Sequence, residues 1–238
     1  MADINPQFDR VKGAEWFPLL NDRDIMVLGQ GGIGSWTSLL LSRIGCSLTL
    51  FDIDIYEEHN MTGQVVGKSG IGKNKAEAML DMIAELSPAC NVACYGRYRD
   101  DSPTNDIVIC GFDNMAARKT AFKNWKNQFA GEKGAFFQDG RLLAEQLQIY
   151  NIPSERVDLI AEYETNHLFN DDEVAEADCT FKQTSHCAAM IASHMVGFLT
   201  NWVSNQNSEI PFKQVPFKYE YIIPISLVQI YSPSNLAK

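Results

Sequence analysis

The chain is poor in positive charge. Its 238 residues hold 20 lysines and arginines against 30 acids, a net charge of −10. That balance offers no basic patch to displace counterions from a phosphate backbone, so nucleic acid is not an expected partner. Long apolar runs are also missing. No stretch approaches about 18 uninterrupted apolar residues, so no membrane span is expected. The opening MADINPQFDR has no apolar core, and no signal peptide is expected there. The six cysteines are irregularly spaced and include no paired CxxC. That excludes a disulfide framework and a zinc site built from cysteine pairs. A reducing, cytoplasmic setting fits these absences. Proline is scarce, at nine residues, and 45% of the chain is hydrophobic, enough for a full core.

What is present centres on residues 24 to 75. An apolar run, Ile25 to Leu28, ends in Gly29, Gly31, Gly32 and Gly34. A helical pattern follows over 33–44, then a second apolar run, Leu48 to Phe51, which stops at Asp52 and Asp54. Strand, glycine turn, helix, strand and acid is the order of a nucleotide-binding βαβ unit. Gly29 permits the bend out of the strand. Gly31 and Gly32 let a phosphate approach the backbone, and Gly34 lets the helix pack on the strand. The helix N-terminus favours an anion there. Asp52, 18 residues beyond Gly34, is placed to accept from ribose hydroxyls.

Asn60, Gln64 and Lys75 follow in a long loop and at the start of the next helix. A nicotinamide dehydrogenase needs no lysine there, whereas a triphosphate site gains from a point cation. A third buried-strand pattern, 106–110, leads into Gly111-Phe112-Asp113-Asn114. Asp113, at the carboxyl end of a parallel strand, is suited to hold Mg²⁺.

These motifs in this order resemble the ThiF/MoeB/HesA family, relatives of ubiquitin-activating enzymes. The matching residues are GQGGIGS at 29–35, Asp52-Ile53-Asp54, Asn60 to Gln64, Lys75 and Asp113-Asn114. The resemblance is good over residues 7–150 and looser beyond. It implies adenylation of a carboxylate by ATP with Mg²⁺, releasing pyrophosphate. The carboxylate would belong to a ubiquitin-like protein, a sulfur-carrier protein or a peptide. Carried over by position, the glycine turn with Ser35, Asp52 and Asp54 holds the nucleotide. Asn60, Gln64 and Lys75 face the phosphates, and Asp113 sits by the metal. The resemblance also implies a homodimer in which Arg10 reaches the partner's site. It makes Cys179 a candidate for a covalent acyl linkage. One departure stands out: where the family has an arginine, this chain has Gly63. Lys73 or Arg141 are the candidates to replace it.

Elsewhere the pattern gives faces and turns. Trp36, Leu39, Leu40 and Ile44 mark the sheet-facing side of the first helix, and Ala76, Met79, Leu80 and Ile83 that of a helix over 72–86. Ala117, Ala121, Trp125 and Phe129 do the same over 114–129, and Ala188, Ile191, Met195, Phe198, Leu199 and Trp202 over 184–204. Residues 134–152 read as two strands turning at Gly140, with Arg141 and Glu145 as a pair. Residues 153–178 hold nine acids and one arginine, either a solvated face or a guide for a basic partner. Residues 218–231 read as one or two closing strands broken at Pro224.

The expected fold is α/β: a doubly wound, Rossmann-like, mainly parallel sheet with helices on both faces, extended by antiparallel strands. The expected organisation is a single adenylation domain, 1–238, with a nucleotide-binding core (1–152), an acidic crossover segment (153–182) and a C-terminal helix with closing strands (183–238). Two other functions remain open. One is an NAD(P)-dependent oxidoreductase, from the glycine turn and Asp52. The other is a catalytically degenerate nucleotide-binding scaffold subunit, from Gly63.

Overall fold

Ile25 to Leu28 are buried on both strand faces, as in parallel sheets covered by helices on either side. In a computed structural model describing residues 5–21, 23–170, 184–208 and 212–232, this run is β1 (Asp24–Leu28). It is the middle of the five parallel strands in an eight-stranded sheet with order β3-β2-β1-β4-β5-β6-β7-β8. β2 (Ser47–Phe51), β3 (Val92–Tyr95), β4 (Ile107–Cys110) and β5 (Phe136–Leu143) continue it in parallel. β6 (Gln146–Pro153), β7 (Lys218–Ile222) and β8 (Leu227–Tyr231) add antiparallel strands. The chain moves outward from β1 through β2 to β3, then returns to β4 on β1's other side. That reversal opens a crevice at the carboxyl ends of β1 and β4, where ligands of such sheets bind.

Helices cover both faces. The four-residue α1 (Phe17–Leu20), α2 (Gly32–Arg43), α3 (Lys75–Leu86) and α6 (Ser185–Gln206) share one core with Ile25, Val27, Leu48, Leu50, Ile107 and Ile109. α4 (Met115–Phe129) and α5 (Val157–Asn166) share the other with Met26, Leu28, Val108, Phe137 and Tyr150. No helix among the described residues is long and apolar enough to cross a membrane.

Four details differ from the sequence expectation. On α2 the buried residues include Ile33, Ser35, Thr37, Ser38, Leu41 and Ser42, while Trp36, Leu39, Leu40 and Ile44 are only half-buried. α2 is packed between the sheet and α6, and small residues let both neighbours come close. On α4 the inward residues are Met115, Arg118, Ala121, Phe122 and Trp125, so the face is rotated from the apolar reading by a buried arginine. α3 starts at Lys75, not at 72, because Asn74 caps it with Oδ1 accepting from the N–H of Ala76 and Glu77. Lys73 therefore precedes the helix.

The fourth difference is Gly140. It is mid-strand in β5, and the hairpin turns instead at Ala144 and Glu145, with Ala144 at φ 54°. Gly140 is small for a packing reason: a Cβ there would lie 2.8 Å from Met195 Sδ and 3.1 Å from Ile33 Cγ2. Gly140→Ala should therefore destabilise by about 1–3 kcal/mol, the usual cost of overpacking. Combined with Met195→Ala, its cost should shrink well below the sum of the two single changes. Urea unfolding of the four proteins measures this, and strict additivity would refute the contact.

Candidate functional site

The turn after β1 is built by backbone contact. Gly29 adopts φ +85° and lies against Gly111, whose carbonyl carbon would be 3.1 Å from a Cβ at residue 29. A Cβ at Gly34 would lie 1.7 Å from Gly29 O, so helix and strand touch there through bare backbone. A Cβ at Gly31 would meet nothing within 4 Å. The space over Gly31 is thus open, at the end of α2 where Gly32, Ile33 and Gly34 present N–H groups without intrahelical partners.

Asp52 braces this turn. Its Oδ2 accepts from Gln30 N at 2.5 Å and its Oδ1 from Asp54 N at 2.8 Å. Burial pushes its carboxyl above the ordinary value, opposed by those two N–H groups and by the charge of Lys75. An ionised carboxylate keeps further lone pairs for ribose hydroxyls. Asp54 is exposed, and its Oδ2 lies 3.3 Å from Lys75 Nζ. Lys75 is only 9% exposed although it opens α3. Asn74 Nδ2 donates to the carbonyls of Asp52 and Asp54, stitching β2 to α3.

The loop carrying Asn60 and Gln64 is tied to α2. Val65 N donates to Ser35 Oγ at 3.0 Å, and Trp36 Nε1 to Gly63 O at 3.1 Å. Asn60 Oδ1 accepts from Glu57 N at 2.9 Å, capping a short 3₁₀ turn, Glu58–Thr62. Gln64 Oε1 is buried with no hydrogen-bond partner. A buried acceptor left without a donor fits a group that arrives with a ligand. The glycine cradle suits phosphate, whereas this atom, an acceptor, suits a donor such as a ribose hydroxyl of a nucleotide. Asp113 is exposed on the turn after β4, across the crevice, with Asn114 capping α4 beside it. A single exposed carboxylate suits Mg²⁺, which takes most of its other ligands from phosphate and water.

The structure thus brings together the glycine turn, Ser35, Asp52, Asp54 and Lys75, with the Asn60–Gln64 loop alongside and Asp113 opposite. It does not bring Arg10 to them. Phe8, two residues away, packs by Gly45 at the far end of α2, about 18 Å along a twelve-residue helix. Cys179 and the acids Asp171, Asp172, Glu173, Glu176 and Asp178 lie outside the described residues. Neither replacement for the family arginine is free. Lys73 Nζ is 2.7 Å from Asp81, and Arg141 Nε is 2.7 Å from Asp139. Arg141 does not pair with Glu145, which lies 3.5 Å from His186 instead.

Sequence reasoning missed Gln30, Tyr56 and Arg118. Gln30 is buried, donating to Val27 O and accepting from Ser38, while its carbonyl accepts from Tyr56 Oη at 2.8 Å. Arg118 ion-pairs with the buried Asp139 and donates to the carbonyls of Gly140 and Phe112. Asn74 was legible as a helix cap, since asparagine before an amphipathic run is a start signal.

Known proteins share sequence and fold with this chain. The tRNA threonylcarbamoyladenosine dehydratase of Escherichia coli K12 is 35% identical over 101 residues, 42% of this chain and 36% of that protein. The probable adenylyltransferase/sulfurtransferase MoeZ of Mycobacterium tuberculosis is 29% identical over 109 residues, 42% of this chain and 27% of MoeZ. The matched stretches thus span about a third of these relatives. The crystal structure of E. coli MccB with ATP superposes with a TM-score of 0.72 at 15% identity, covering 92% of this chain and 66% of MccB. That likeness establishes a shared fold. A model of the ThiF family matches residues 7–223, most of the chain. The chain belongs to the ThiF family.

Proposed function

We propose that the chain binds ATP and adenylates a carboxylate. The observation that carries this reading is the buried Lys75. A cation at a helix N-terminus opposes the dipole, and burying it adds a desolvation cost. Both costs are offset when anionic phosphates occupy the neighbouring cradle. A dehydrogenase would use the glycine turn and Asp52 but gains nothing from this lysine.

In the proposed reaction a carboxylate oxygen attacks the α-phosphorus. The bond from phosphorus to the bridging oxygen breaks, and pyrophosphate leaves with the electron pair. Lys75 and the N–H groups of Gly32, Ile33 and Gly34 oppose the charge that develops on the phosphate oxygens. Asp52 orients the ribose and Gln64 offers an acceptor nearby. Mg²⁺, held by Asp113 and phosphate oxygens, would neutralise leaving-group charge. The family resemblance supports a ubiquitin-like protein, a sulfur-carrier protein or a peptide as the owner of the carboxylate. It also supports a homodimer completed by Arg10 and a later transfer to Cys179.

A second reading, a nucleotide-binding scaffold without activity, is favoured by Gly63 and by the engagement of Lys73 and Arg141 elsewhere. Thermal shift and ATP–pyrophosphate exchange separate the readings. ATP with Mg²⁺ at a hundredfold its dissociation constant should stabilise the chain by about 2.7 kcal/mol. NAD⁺ and NADP⁺ should not. Lys75→Ala should stay folded and lose exchange by about 100-fold or more. Unchanged ATP binding with no exchange in either protein, across a panel of carrier proteins and peptides, would favour the scaffold. Stabilisation by a nicotinamide nucleotide alone would overturn the adenylation reading.

The glycines make separable predictions. Gly31→Ala should leave stability within about 0.5 kcal/mol and weaken ATP binding, because its methyl enters open cradle space. Gly34→Ala should cost about 1–3 kcal/mol or more before any ligand is added, because its methyl meets Gly29 O. Chemical denaturation with and without ATP distinguishes them.

Acid should weaken nucleotide binding through Asp52. Its raised carboxyl protonates at a higher pH than an ordinary aspartate, near 3.9, and the protonated form is the poorer ribose acceptor. The same shift means that protonating Asp52 favours the folded chain, so affinity should fall on acidification without this group contributing to acid unfolding. In Asp52→Asn, ATP affinity should be lower at neutral pH and should lose this acid limb. A wild-type affinity flat down to pH 4 would contradict it.

A further inference from the structure

We propose that Arg118 is a positioning residue for Asp113, and through it for the metal ion that accompanies the nucleotide. The inference rests on the reading that Asp113 holds that metal. Arg118 stands on α4 five residues after Asp113 and is buried. Its Nη2 donates to the carbonyl of Phe112. That carbonyl belongs to the peptide plane that also contains the N–H of Asp113. Fixing this plane sets the direction in which Asp113 leaves the turn after β4.

The other end of the guanidinium is held firmly. Nη1 donates to Asp139 and, at 3.0 Å, to Gly140 O on β5. Asp139 has no exposed surface and also accepts from Arg141 Nε at 2.7 Å and Tyr163 Oη at 2.8 Å. One planar fork therefore clamps the β4 turn to the middle of the neighbouring strand. A lysine ammonium is a single point charge without the planar fork that here spans acceptors on the β4 turn and on β5, so the geometry favours arginine. Asp113 itself is exposed, with Asn114 Nδ2 3.3 Å from its carboxylate. Its direction is set mainly by its backbone, and among the described residues Arg118 is a buried side chain that holds that backbone from the core. Second-layer contacts of this kind commonly change metal affinity by 10- to 100-fold.

The test measures Mn²⁺ binding to the full chain with a non-hydrolysable ATP analogue, by water-proton relaxation, beside analogue affinity in EDTA. Arg118→Lys should weaken Mn²⁺ by about tenfold and leave metal-free analogue affinity unchanged. Asp139→Asn keeps the Phe112 contact, so it should lower the unfolding midpoint yet hold Mn²⁺ within about twofold. Arg118→Gln serves the same purpose if the lysine variant fails to fold. Wild-type Mn²⁺ affinity in Arg118→Lys, while Asp113→Asn weakens it, would overturn the positioning role alone. Equal weakening in Arg118→Lys and Asp139→Asn, in step with lost stability, would reduce Arg118 to a structural role and also overturn it. Wild-type Mn²⁺ affinity in Asp113→Asn would remove the premise instead.

Discussion

Backbone-to-backbone contact among Gly29, Gly34 and Gly111 sets the spacing on which the rest of the site depends. Side chains at these positions would push α2 away from β1, and β1's turn away from the one after β4. The close approach places the open N-terminus of α2 at the carboxyl edge of the sheet. It also brings the two turns that flank the crevice, one ending in the glycine cradle and one in Asp113, onto a common rim. A helix end so placed has orphan N–H groups that need an acceptor, and a Cβ at Gly31 would meet nothing within 4 Å, which leaves room for one.

Around this contact, polar groups act as braces before they act on any ligand. Asp52 spends one interaction on each neighbouring loop, Asn74 ties β2 to α3, and Ser35 ties α2 to the loop beyond Gly63. Arg118 and Asp139 do the same on the far side of the crevice. Removing either partner of such a buried pair leaves an uncompensated charge, which costs several kcal/mol, whereas the intact pair adds little net stability. Their value is therefore better sought in what they hold in place.

Much of this was legible in the sequence. β1 and β4 are short apolar runs buried on both faces, and β2 carries Leu48, Leu50 and Phe51 buried; such runs announce themselves. The glycine spacing and the acids at 52 and 54 located the cradle because local backbone geometry dictates those residue types. The α4 face was misread because apolar periodicity does not register a buried arginine, whose partner Asp139 lies 21 residues later. Gly140 was read as a turn because glycine usually marks one. Its true reason, the approach of Met195 from α6, is a tertiary contact 55 residues away that no local pattern carries. The pairing of Arg141 with Asp139 rather than Glu145 has the same origin. Residues two apart on a strand share a face, whereas Glu145 sits in the hairpin turn after the strand ends.

The charge facing the phosphates remains the tightest constraint on any reaction here. On the adenylation reading a triphosphate brings several negative charges into the crevice. Lys75 answers part of this but shares itself with Asp54. The α2 dipole adds roughly half a unit charge. Gly63 contributes only a carbonyl, already taken by Trp36, and Lys73 and Arg141 are committed to Asp81 and Asp139. On this reading a metal ion, or a cation from a second copy, would supply part of the balance. Arg10 lies near the far end of α2 from its own cradle, so under the proposed homodimer its charge would go to a second copy. On that reading, a glycine at 63 where the family resemblance expects an arginine leaves more of the phosphate charge to a metal ion and to a second copy of the chain.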